Sequence, residues 1–90
     1  MIFTNKKDLC KSIRKFIKDI SYVDVEDYEI SLFTCSLGLK VYDVIELFYK
    51  IEDEYHIPVR KFYQADKKLI TIASLAEGII EAMSFENIYV

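Results

Sequence analysis

"LGLKVYDVIELFYKIEDEY", residues 37–55, is the stretch whose reading decides the fold. Val41, Val44, Ile45, Phe48, Ile51 and Tyr55 recur at spacings of three and four, the mark of one apolar helical face. The spacing predicts a helix over about 41–55, ending near His56. Pro58 sets that limit, because its ring disfavours helical geometry at Ile57. At about 100° per residue, Asp43, Glu46, Asp53 and Glu54 fall away from the apolar stripe. Lys50 stands among them, four residues after Glu46, a pairing that contributes only about 0.2–0.5 kcal/mol. Tyr42 and Tyr49, seven residues apart, share one flank between the stripe and the acids.

Two more amphipathic segments lie either side. Leu9, Ile13, Phe16, Ile17 and Ile20 predict a first helix over about 5–20, capped by Thr4 or Asn5 accepting a bond from a free backbone N–H. Lys7, Lys11, Arg14, Lys15 and Lys18 fall on its opposite face. Thr71 reads as the N-cap of a last helix, with Ile72, Leu75, Ala76, Ile79, Ile80 and Met83 as its stripe. Gly78 costs that helix about 1 kcal/mol relative to alanine. Residues 59–65 read as a short helical turn with Phe62 inward.

Residues 21–40 are ambiguous. "YEISLFTCS" alternates Tyr28, Ile30 and Leu32 with polar neighbours, which suits a strand that has no obvious partner. The alternative is a long loop that tucks Ile30, Leu32, Phe33 and Leu37 onto the helices. Three main helices and one short one, with a long first loop and no convincing sheet, give an all-α bundle.

Ninety residues make one domain, 1–90, and an apolar share of 52% is enough for a single core. There is no apolar run of bilayer length, and "MIFTNKKDLCKS" has no signal-peptide apolar stretch. The chain therefore reads as cytoplasmic, away from membranes, and monomeric. In that setting Cys10 and Cys35 are expected as free thiols, Cys10 in the core.

The net charge of −3 is too small to name a partner, but its distribution is uneven. Residues 6–18 hold six basic residues and one acid, and residues 19–29 hold five acids and no base. The basic helix invites a nucleic-acid reading through Lys7, Lys11, Arg14, Lys15 and Lys18. Against it stand the acidic chain as a whole and the absence of aromatics interleaved on that face for base stacking. A solvated face, or one matched internally by the acidic segment 19–29, is the simpler expectation.

Catalytic chemistry finds little support. His56 is the single histidine, and no His/Cys cluster has metal-ligand spacing. The consecutive acids 52–54 point in different directions on a helix and cannot converge on a metal. Two glycines, Gly38 and Gly78, cannot build a phosphate-cradling loop. No nucleophile–base pair is apparent, so the chain reads as a non-enzyme without cofactor or metal.

The order of residues in "LGLKVYDVIELFYKIEDEYHIPV…LITIASLAEGI" resembles the acyl carrier protein family. There a Leu-Gly pair leads into an Asp-Ser-Leu motif at the start of the second helix. An acid, a Val/Ile-Glu-Leu triplet, a Leu/Ile-Glu-Glu-x-Phe run, a hydrophobic-Pro step and a Thr-Val/Ile opening of the last helix follow. This chain keeps Leu37-Gly38, Asp43, Ile45-Glu46-Leu47, Ile51-Glu52-Asp53-Glu54-Tyr55, Ile57-Pro58 and Thr71-Ile72. Lys40-Val41-Tyr42 replaces Asp-Ser-Leu. The family's serine hydroxyl accepts 4′-phosphopantetheine from coenzyme A, and Val41 has no heteroatom to form that phosphodiester. Ser36 and Cys35 stand five and six residues earlier and do not match the motif. The 58–71 segment, with Arg60, Lys61, Lys67 and Lys68, is longer and more basic than the family's.

The chain further resembles carrier-related proteins that lack the serine and accompany bacterial peptide-maturation systems. The resemblance implies a carrier-like fold without the arm. Its use would be to dock a partner protein or enzyme through the second helix, at Tyr42, Asp43, Glu46, Tyr49 and Asp53. Two alternatives remain open: a functional acyl or peptidyl carrier charged at a non-standard residue such as Ser36, and a small nucleic-acid-binding helical domain.

Overall fold

Asn5 starts the first helix. Its side-chain oxygen accepts the Asp8 backbone N–H at 2.8 Å, so one of the free donors of the first turn is satisfied. Helix α1 runs Lys6–Ser21 and ends on Tyr22, whose N–H donates to the Lys18 carbonyl at 2.8 Å. The computed structural model describes residues 5–57 and 70–88, and side chains of the second stretch as far as Ala82. The short turn expected over 59–65 with Phe62, and the Met83 side chain, lie outside the described residues.

The sequence 22–40 is a loop and not a strand. Ser21, Asp27 and Ser31 shape it through short-range bonds: Ser21 Oγ accepts from Val23 N, Asp27 Oδ1 from Glu29 N and Ser31 Oγ from Phe33 N. Such side-chain bonds offer the backbone an alternative to a ladder. Two longer bonds tie the loop to the last helix: Leu32 N donates to the Ile70 carbonyl, and Ala73 N donates to the Tyr28 carbonyl, both at 2.9 Å. Leu32 is fully buried, and Ile30, Phe33 and Leu37 pack against the core as expected. Val25, at 1% exposure, adds a core position that the pattern had not marked.

A 3₁₀ turn, Cys35–Leu37, leads to Gly38, which adopts φ 76°. A side chain in that left-handed region costs about 1–2 kcal/mol, so glycine suits the turn. Helix α2 then spans Val41–Tyr55. Asp43 accepts the Lys40 backbone N–H at 3.0 Å, a carboxylate placed at the positive end of the helix. His56 closes it in the left-handed region at φ 56°, its N–H on the Glu52 carbonyl. The single histidine therefore terminates a helix.

Helix α3 spans Ile72–Ile88. Thr71 Oγ1 accepts Ser74 N and Ser74 Oγ accepts Thr71 N, a reciprocal cap at 3.0 and 2.9 Å. Ala73 is buried beside Ile72, Leu75, Ala76, Ile79 and Ala82, so α3 is buried around much of its first turns.

Helix α1 packs against both α2 and α3. Leu9, Ile13 and Ile17 of α1 meet Val44, Leu47, Phe48 and Ile51 of α2 and Leu75 and Ile79 of α3 in one core. Each such side chain contributes roughly 1.5–3 kcal/mol on burial. The described residues are thus all-helical, with three α-helices, one 3₁₀ turn and no strand.

Candidate interaction surface

The buried residues of α2 are Val44, Leu47, Phe48 and Ile51. They set the inward direction, and the helical period then fixes what points away. Tyr42 and Tyr49 do, and each is 60% exposed. Glu46 and Asp53 are exposed too and share that outward face. The tyrosines thus lie further from the core than the flank the sequence suggested. They are about 10 Å apart along the axis, two turns of helix. Lys40 Nζ lies 5.6 Å from the Tyr42 ring centre, within cation–π range. Its backbone N–H is held by Asp43, so the N-terminal turn orders both the helix start and the cation beside the ring.

Two expectations are corrected. Val41 was placed in the apolar stripe, yet it is 57% exposed, and Leu47 takes the buried place. The reason is its place at the helix end: Val41 is the first residue of α2, whereas Phe48, at nearly the same angle but two turns in, is buried. Lys50 does not reach back to Glu46. It meets Glu54 Oε1 at 3.7 Å and lies 5.5 Å from the Phe16 ring centre on α1. Glu46 is left without an ion partner among the described residues.

Asp43 needs a further distinction. It is half-buried, bonded to the Lys40 N–H, and about 100° round the helix from Tyr42. Its part in the surface is to fix the helix start, while Tyr42, Glu46, Tyr49 and Asp53 form the outward face itself.

Val41, where the resemblance would put the attachment serine, is the first residue of α2. It is open to solvent and carries only hydrocarbon. Cys35 and Ser36 are exposed on the 3₁₀ turn before it. Cys10 is buried at 3% exposure, and burial pushes its thiol above the usual range. Both cysteines are free.

The basic face of α1 is partly matched within the molecule. Arg14 donates from Nε to Asp24 Oδ1 at 2.5 Å and from Nη2 to Oδ2 at 2.7 Å. Glu26 stands 3.8 Å from the same guanidinium. This forked contact raises the Arg14 pKa and holds the Asp24 carboxyl below its usual range. Lys6 pairs with Glu77 of α3 at 2.6 Å, and that bond raises the lysine's pKa.

Among the described residues, no group of three His, Cys, Asp or Glu side chains could hold a metal. No described helix is long and apolar enough to cross a membrane.

One exposed aromatic escaped the sequence reading. Tyr22 is 91% exposed and adopts φ 63°, where glycine or asparagine is usual after a helix. The one local signal was Ser21, a turn-forming residue whose Oγ accepts the Val23 N–H.

Comparisons with family models, with curated proteins and with solved structures return no match.

Proposed function

We propose that this chain is a carrier-like interaction module without the phosphopantetheine arm, which docks a partner protein through the outward face of α2. The carrying observation is that Tyr42 and Tyr49, each 60% exposed, stand on one face with Glu46 and Asp53. Phe48, Leu47, Val44 and Ile51 already fill the core side of α2, so the fold does not need the two rings. Tyrosine supplies broad contact area at low conformational cost and dominates many interface cores. Val41, open at the helix start, supports the absence of the arm, since valine offers no oxygen or sulfur to a phosphodiester. The placement in a peptide-maturation or related biosynthetic system, and the reading as a non-enzyme, rest on the family resemblance and on the lack of a nucleophile–base pair.

The test is kinetic. A partner isolated from the source cell is measured against surface-held wild type, Tyr49→Ala and Glu46→Lys. The Tyr49 variant is expected to dissociate faster, losing about 2 kcal/mol or more if the ring is a hot spot. The Glu46 variant is expected to associate more slowly, most at low salt, because exposed charges act on encounter and are screened. Wild-type kinetics in both variants, with unchanged helicity by circular dichroism, would remove α2 as the interface.

A further inference from the structure

The outward face of α1 holds a second surface of opposite charge. Lys11, Arg14, Lys15 and Lys18, with Asp24 at the edge, line an open depression of about 250 Å³. Lys11, Lys15 and Lys18 are exposed and form no ion pair among the described residues. Arg14 is already taken, both arms of its fork closed on the Asp24 carboxylate. Just beyond Lys18 the helix ends on Tyr22, a ring 91% exposed on a backbone conformation unfavourable to any side chain with a Cβ. The fold holds the Tyr22 backbone as the C-cap of α1 but gives its ring almost no contact, so the ring stands open beside the lysines.

We infer that the outward face of α1, with Lys11, Lys15, Lys18 and Tyr22, docks an acidic segment of a partner protein. Charge complementarity chooses the occupant. The molecule already shows what this face accepts, since Asp24 and Glu26 lie against Arg14 as carboxylates. The free lysines continue that row over about 10 Å, two turns of helix. Carboxylates two turns apart on an acidic helix match that length. A nucleic-acid strand fits less well. Single-strand sites commonly span about four nucleotides or more, with several stacking rings. Here there is one ring and a row of lysines only about 10 Å long. The forked arginine that suits phosphate is also occupied. This surface is independent of the α2 face, and either can fail without the other.

The experiment is a two-dimensional amide titration of the full chain with three probes: hexaglutamate, an eight-residue oligothymidylate, and the unlabelled chain itself. Expected is a set of shifts from hexaglutamate confined to residues 11–22 and reduced by added salt. Lys11→Glu with Lys18→Glu should weaken it about tenfold, the effect of reversing two exposed contacts of ordinary size. Lys15→Gln and Tyr22→Ala should each weaken it less, and their unperturbed spectra elsewhere report an intact fold. No shift with hexaglutamate, or equal shifts in the double variant, overturns the inference. Tighter binding of the oligonucleotide overturns it in favour of nucleic acid. Shifts produced by the unlabelled chain alone, at the concentration used for the peptide, overturn it in favour of a second copy.

Discussion

Helices α1 and α2 bury one face each in the same core but present different chemistry outward. On α2 the outward face carries two large rings between carboxylates, with Glu46 unpaired among the described residues. On α1 it carries lysines, and its arginine is closed on the acidic loop that follows. The difference separates two uses of a surface. Exposed rings hold binding free energy that is released when a partner covers them, whereas exposed lysines mainly steer and orient. A face whose charge is partly answered from within, as Arg14 is by Asp24, has less left for a partner than one whose charges stand open.

The sharpest test of that division lies within α2 itself. Phe48→Ala removes a ring that is 2% exposed, and the cavity it leaves should cost about 3–5 kcal/mol of unfolding free energy. For a domain this small such a loss is close to complete unfolding. Tyr49→Ala, one residue on, should stay within about 0.5 kcal/mol of wild type, as surface substitutions do. Urea denaturation of both gives the answer, and comparable losses would mean that Tyr49 belongs to the core.

A smaller effect distinguishes Tyr22 from an ordinary helix end. Tyr22→Gly removes the left-handed strain and should stabilise the chain by about 0.5–1 kcal/mol by thermal unfolding. The same substitution should weaken the hexaglutamate contact. A destabilised variant would show that the ring is held by the fold.

The smallest effect concerns Arg14 and Asp24. The forked bond lowers the folded pKa of Asp24, so its stabilisation is present above the unfolded carboxyl value. It is lost as pH falls through the lowered folded value. Arg14→Gln should return the Asp24 titration, followed by carbon-detected NMR, upward to the ordinary carboxylate range. An unchanged midpoint would mean that the pair is not formed in solution.

Much of this architecture was legible in the residues because helical periodicity reports burial directly. Leu9, Ile13 and Ile17, Phe48 and Ile51, and Leu75 and Ile79 recur as the period demands, and Asn5 and Thr71 announce their helices by chemistry. The loop over 22–40 was harder, since its order comes from bonds to residues far along the chain, Leu32 to Ile70 and Ala73 to Tyr28. Local pattern carries no trace of such bonds. Val41 was misplaced because it opens the helix, and periodicity does not show where along a helix the packing begins. Of the α2 surface, the two tyrosines and two of the acids were readable from spacing, but the capping bond of Asp43 and the turn of Lys50 toward Glu54 depend on side-chain geometry. Tyr22 itself gave no signal, because its backbone angle, and not its identity, sets it apart.

The central claim, a carrier-like scaffold that has lost its attachment point, is tested most directly by intact mass. The purified chain is incubated with coenzyme A and a broad-specificity phosphopantetheinyl transferase, beside a variant carrying Lys40→Asp, Val41→Ser and Tyr42→Leu. The account predicts an unchanged mass for the wild-type chain and a phosphopantetheine gain in the variant, mapped to position 41. A gain in the wild-type chain, mapped to Ser36 or any other residue, would contradict it and make the protein a working carrier.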